Sequence, residues 1–227
     1  MNNKNKNEDN CREEIEFRIL ESKGKVLLDH EIIETFLSVV HDSDQAQTIA
    51  KNLVDTCTGI GGILGREIDD LRMIKGVTDP AAAVITCVQE AGKRALREGL
   101  KKGPILHSQE ELIEYIRVSI GLSAKEAVQI IFLDTQSRFI GEEVYFGTIN
   151  EVHLYERSVV EKALARKAAS IVLAHNHPGG SVKPSEEDRV MTRELASACQ
   201  SVNIELKDHI VMTDKNYFSF KEEGDLL

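Results

Sequence analysis

His175, Asn176 and His177, followed by Pro178-Gly179-Gly180-Ser181-Val182-Lys183-Pro184 and Ser185-Glu186-Glu187-Asp188, place two imidazoles and a carboxylate where one metal ion could reach all three. The apolar run Ser170-Ile171-Val172-Leu173-Ala174 ahead of them reads as a buried strand. Side chains alternate along a strand, so His175 and His177 point to one face at its end. Pro178-Gly179-Gly180 stops the strand, and Ser185-Glu186-Glu187-Asp188 reads as a helix start with Asp188 in the first turn. Three protein ligands and a water make a catalytic zinc site, whereas a structural site closes with a fourth ligand, often cysteine. Cys199 lies far down the following helix. The residue types leave a second reading open. Ser185 and Asp188 also satisfy a Ser-x-x-Asp capping pattern that needs no metal, and a lone His-x-His pair is often two ordinary polar side chains.

Several elements must position this segment. Ala127-Val128-Gln129-Ile130-Ile131-Phe132-Leu133 reads as a central strand, and His209-Ile210-Val211-Met212 as another. Arg157 opens an amphipathic helix through Leu164, where it either contacts a substrate carboxylate or phosphate or is a plain surface arginine. Between Lys25 and Lys101 the pattern is helical: Glu31 to Leu37, Ala46 to Val54, Gly65 to Met73 and Ala81 to Leu96 space apolar residues by three or four. Gly99-Leu100-Lys101-Lys102-Gly103-Pro104 reads as a linker. The expected organisation is a disordered tail over 1–20, a helical domain over 21–103 and an α/β domain over 104–227.

Composition bounds the function. With 227 residues, 41% apolar and 29% charged, the chain suits two modest globular domains. No apolar run reaches the roughly 20 residues of a membrane helix, so no membrane partner is expected. The polar start, Met1 to Asn10, lacks the apolar core of a secretory signal, which predicts a cytoplasmic protein. Cys11, Cys57, Cys87 and Cys199 form no Cys-x-x-Cys pair and read as reduced thiols, with Cys57 and Cys87 in the core. The net charge of −10 offers no surplus of cations for unspecific DNA binding.

His-x-His-Pro, six residues, then Ser-x-x-Asp resembles the JAMM (MPN+) metalloprotease signature. Asn176 between the histidines and Pro178-Gly179-Gly180 after them resemble the RadC branch of that family. The resemblance runs from about Pro104 to the C-terminus through Phe132-Leu133-Asp134, Phe146-Gly147-Thr148-Ile149-Asn150, Arg157, His175 to Asp188, and Asp208-His209-Ile210-Val211. It implies a cytidine-deaminase-like (JAB/MPN) α/β sandwich behind a small all-α domain, with one Zn2+ held by His175, His177 and Asp188 and a water in the fourth position.

The same resemblance implies a glutamate base on an earlier strand. Glu126, opening the Ala127–Leu133 run, is the first choice, with Glu142 and Glu143 as rivals. Ser185 is either a cap alone or, as in the family, also a stabiliser of the tetrahedral oxyanion. His209, of the Asp208-His209 pair, reads either as support for a ligand or as a structural histidine. Residues 71–83 lie where RadC-like proteins carry a helix-hairpin-helix motif, which binds DNA phosphate through backbone N–H groups at glycine-flanked turns. Here Thr78 stands at the second glycine, and Asp79 adds charge of the phosphate's own sign. Two functions follow as expectations. One is a zinc-dependent hydrolase acting on a peptide or isopeptide. The other, suggested by the family's customary label of DNA repair protein, is a DNA-associated module whose zinc is structural or regulatory.

Overall fold

A computed structural model describes residues 4–105, 109–147 and 155–226. It divides into two compact units, Met1–Glu90 and Ala91–Leu227.

The first unit is helical, as its periodicity predicts. α1 (Lys4–Ser22), α2 (Asp29–Leu37), α3 (Ser43–Cys57), α4 (Ile60–Leu64), α5 (Ile68–Arg72) and the first half of α6 (Asp79–Leu100) supply it. Asp42 starts α3 by accepting from Gln45 N, and Thr58 ends it in a left-handed conformation. Ile33, Leu37, Ile49, Leu53, Ile63, Leu71 and Ile85 fill the core, each contributing about 1.5–3 kcal/mol of gross burial. The stretch 1–20, expected as a disordered tail, contains most of α1. Ile15 is buried, and Arg18 forms a two-pronged ion pair with Glu31 at 2.6 and 2.9 Å that ties α1 to α2. Composition alone registers the polar residues and misses these two anchors.

The second unit is a sheet between two helical layers. β1 (Ala127–Leu133), β2 (Phe139–Phe146), β3 (Ser170–Asn176), β4 (Glu205–Met212) and β5 (Tyr217–Ser219) lie in the order β2-β1-β3-β4-β5. β1 runs antiparallel to β2 and β3, β3 parallel to β4, and β4 antiparallel to β5. Both faces of β1 and β3 are buried, which explains their continuous apolar runs. Ala127, Ile131, Val172 and Ala174 face a core closed by Leu100, α7 (Gln109–Ile116) and the π turn Arg117–Gly121. Val128, Ile130, Ile171 and Leu173 face α8 (Glu156–Ala165) and α9 (Glu186–Gln200).

Two expectations need correction. The boundary between units falls inside α6, not at Gly103–Pro104: Leu96 and Leu100, on the same continuous helix, pack in the second unit's core. Cys87 is exposed rather than in the core. It sits two residues, about 200°, beyond the buried Ile85 on α6. Cys57 and Cys199 are buried free thiols. Thr148-Ile149-Asn150, part of one sequence motif, lie outside the described residues. Among the described residues, no helix is long and apolar enough to cross a membrane.

Candidate metal centre

β3 delivers both histidines. His175 is its penultimate residue, and the His177 N–H bonds to Met212 O at 2.8 Å, prolonging the parallel pairing with β4. The chain then turns. Gly180 N bonds back to His177 O at 3.1 Å with Gly180 at φ +83°, a conformation that suits glycine. α9 begins at Ser185, whose Oγ accepts from Asp188 N at 3.1 Å while Asp188 Oδ2 accepts from Ser185 N at 2.7 Å. The capping box is therefore real, and it aims the rest of the Asp188 carboxylate inward, so capping and ligation coexist.

The three side chains converge. His175 Nε2 lies 2.9 Å from His177 Nε2 and 3.1 Å from Asp188 Oδ1, and His177 Nε2 lies 3.6 Å from Asp188 Oδ2. Among the described residues they form the one group of three or more His, Cys, Asp or Glu residues placed to share a metal ion. The spacing suits one. A tetrahedral ion about 2.0–2.1 Å from each donor holds the donors roughly 3.3 Å apart. His177 Nδ1 donates to the Ser181 carbonyl at 2.8 Å, so in the neutral ring Nε2 is bare and turned toward its partners. His175 and Asp188 are almost fully buried, while His177 is partly open to solvent.

Electrostatics fits a cation. Burial pushes the Asp188 carboxyl upward, but the His175 and His177 imidazoles beside it, with the Ser185 N–H, outweigh burial and hold it far below the usual carboxylate range. The Asp188 carboxylate 3.6 Å away raises His177 against its burial, with further contributions from the Ser181 carbonyl and the charge of Glu126. His209 shows the reverse. Full burial drives it well below the ordinary histidine range, and His175 pushes the same way.

Glu126 sits at the same end of the sheet. Val128 pairs with His175 across the antiparallel β1–β3 ladder, and that register, carried two residues further, sets Glu126 level with His177. Glu126 is exposed, with its carbonyl accepting from Gly147 N at 2.7 Å. The rival glutamates are engaged elsewhere. Glu142 lies in register beside Ile131, on the other face of the sheet, where it accepts from Tyr115 and Gln129 and pairs with Arg97. Glu143 is bonded to Lys162 and Arg166.

Two further groups support the centre. His209, one of the two readings of its sequence motif, stands with Nε2 2.8 Å from His175 Nδ1. Asn176 was not singled out from the sequence for a role of its own. Its Oδ1 accepts from Ala127 N at 2.6 Å, and its Nδ2 donates to Ser123 O and Lys125 O, both at 3.1 Å. It thus clamps the backbone on both sides of Glu126 to the strand that carries the histidines. The signal was its place between the two histidines on a strand, which forces it to the opposite face. Arg157 is on the surface, paired with Glu161 at 2.8 Å, and Asp208 bonds Ser219 Oγ at 2.6 Å.

Comparison with known proteins agrees with this architecture. A family model described as a RadC-like JAB domain matches residues 106–225, just over half the chain. The chain is 31% identical over 210 residues to a UPF0758 protein of Janthinobacterium sp. (strain Marseille), covering 92% of this chain and 94% of that protein. It is 35% identical over 208 residues to a UPF0758 protein of Polaromonas sp. and 34% identical over 208 residues to one of Chromobacterium violaceum, covering 91% of this chain and 93% of the relative in each case. The α/β unit is therefore a JAB/MPN domain with a His-His-Asp triad compatible with a JAMM-type metal site, and the chain belongs to the RadC family.

Proposed function

We propose that this protein is a zinc-dependent hydrolase that cleaves an amide, in a peptide or an isopeptide, with His175, His177 and Asp188 as the zinc ligands. The observation that carries the reading is the convergence of these three side chains with Glu126 at one end of the sheet. In a three-ligand site zinc supplies Lewis-acid polarisation and a lowered pKa for water.

The chain's own residues supply the rest. Glu126, exposed at the mouth of the site, takes a proton from the water that adds to the carbonyl carbon. It then delivers that proton to the amide nitrogen as the C–N bond breaks, leaving an acid and an amine. Ser185 Oγ already accepts from Asp188 N, so its own hydroxyl proton is available to the developing oxyanion. Asn176 holds Glu126 in place through the flanking backbone.

The hairpin of the helical unit weighs against DNA as the partner. Thr78 Oγ1 bonds Ala81 N at 3.3 Å, taking one of the backbone donors a phosphate would need, and the Asp79 carboxylate beside it pairs with Arg72. The deciding experiment measures metal by elemental mass spectrometry in wild type and His177→Ala. It then follows the appearance of new amines from a peptide and isopeptide mixture with and without chelator. About one zinc per chain, lost in the variant, with chelator-sensitive amine release is the expected result. A wild type that binds no supplied zinc overturns the reading.

A further inference from the structure

We propose that Thr192 and His209 are positioning residues that hold His175 in the tautomer whose Nε2 is free to bind the metal. This rests on the metal-centre reading above and extends it to groups that touch neither metal nor substrate.

The direction of every proton follows from one group that cannot donate. The backbone carbonyl of Asp188 accepts from Thr192 Oγ1 at 2.6 Å. A hydroxyl has a single proton, so Thr192 presents only lone pairs to His209 Nδ1, also 2.6 Å away. Nδ1 of His209 must then carry hydrogen. Full burial keeps this ring neutral, with one ring proton, which leaves Nε2 as an acceptor. Nε2 faces His175 Nδ1 at 2.8 Å, so His175 donates from Nδ1, and its Nε2 holds a bare lone pair toward His177 and Asp188.

The relay begins and ends on one residue: the Asp188 carbonyl sets the first proton, and its carboxylate meets the nitrogen that the last proton leaves bare. Phe220 stacks on His209 at 4.7 Å and 5° between planes, which keeps the ring from turning out of line. Without the Thr192 hydroxyl, His209 is free to carry its proton on Nε2. His175 Nδ1 would then accept, and its Nε2 would be protonated and closed to a cation.

The test uses the full-length protein, stripped of metal and labelled with 15N histidine. Long-range 1H–15N correlation reads each tautomer, and competition with a chromophoric chelator reads zinc affinity in Thr192→Val and Thr192→Ser beside wild type. The expected result is His175 in the Nδ1–H form in wild type, a mixed population with about 10–100-fold weaker zinc binding in Thr192→Val, and recovery of both in Thr192→Ser. His175 in the Nε2–H form in wild type overturns the proposal, as does a folded Thr192→Val with unchanged tautomer and affinity. Should the valine variant not fold, the wild-type spectrum decides by itself. A wild type in the Nδ1–H form that binds no zinc sinks the hydrolase reading while upholding the relay.

Discussion

The α/β unit from Ala91 onward buries His175, Asn176, Asp188, Thr192, Asp208 and His209, whereas among the described residues of the unit up to Glu90 the one buried polar or charged side chain is Glu34. Both units have apolar cores of comparable kind, so stability does not explain the contrast. Burying polar groups costs free energy unless each finds a partner; His175, Asp188, Thr192 and His209 find theirs in one another around a point that suits a cation, while Asn176 binds backbone and Asp208 binds Ser219. In the helical unit the polar groups stay on the surface or serve caps and turns, as Asp42 and Thr78 do. Chemistry is to be sought where polarity has been carried inward and organised.

The largest effect that sharpens this contrast is expected at the ligands. Asp188→Ala removes a carboxylate shared by both histidines, and zinc measured by elemental mass spectrometry should fall from about one per chain toward none. Retention of metal would break the assignment of the buried cluster as a metal centre.

Next comes the base. Glu126→Gln should keep metal and lower kcat by about 10²–10⁴-fold, while Glu142→Gln should leave turnover little changed and cost about 1–3 kcal/mol of stability, since Arg97 and Tyr115 lose their charged partner. Steady-state kinetics with denaturant melts separates the two. A fully active Glu126→Gln would remove Glu126 from the mechanism.

The helical unit should respond to its core alone. Leu53→Ala, at a fully buried site, is expected to cost about 2–5 kcal/mol with zinc per chain unchanged, as followed by circular dichroism and metal analysis. Loss of metal in that variant would break the division of labour between the units.

Much of this was legible in the residues because periodicity and spacing report local geometry. The His-x-His phase on a buried strand, the Ser185 cap and the helical first half each follow from rules that act over a few residues. What escaped depends on which strands become neighbours. The parallel pairing of β3 with β4 sets His209 behind His175, and the β1–β3 register sets Asn176 beside Ala127. Neither pairing is written in either segment alone, so His209 kept two readings and Asn176 had no role of its own. The unit boundary escaped for a related reason. Apolar spacing along α6 marks a buried face but not which core receives it, and Leu96 and Leu100 go to the second.

The exception in the helical unit offers the smallest and most specific prediction. Glu34 is buried with Oε2 unpartnered; burial pushes its carboxyl upward, and a hydrogen bond from Gln47 with the nearby charges of His30 and Lys51 offsets this in part. A raised folded-state pKa means that the fold favours the protonated form. The associated stability is full below the unfolded value of about 4.3 and is lost as pH rises through the folded value. Glu34→Gln removes the charge that causes the loss. Its melting temperature should exceed wild type by about 2 °C at pH 7, with the gap closing near pH 4, where both side chains are neutral. A gap of equal size at both pH values would show that Glu34 acts through shape and not charge. Among the described residues, the helical unit's one buried carboxylate is then a cost carried at neutral pH, in contrast to Asp188, whose ionised form its partners stabilise.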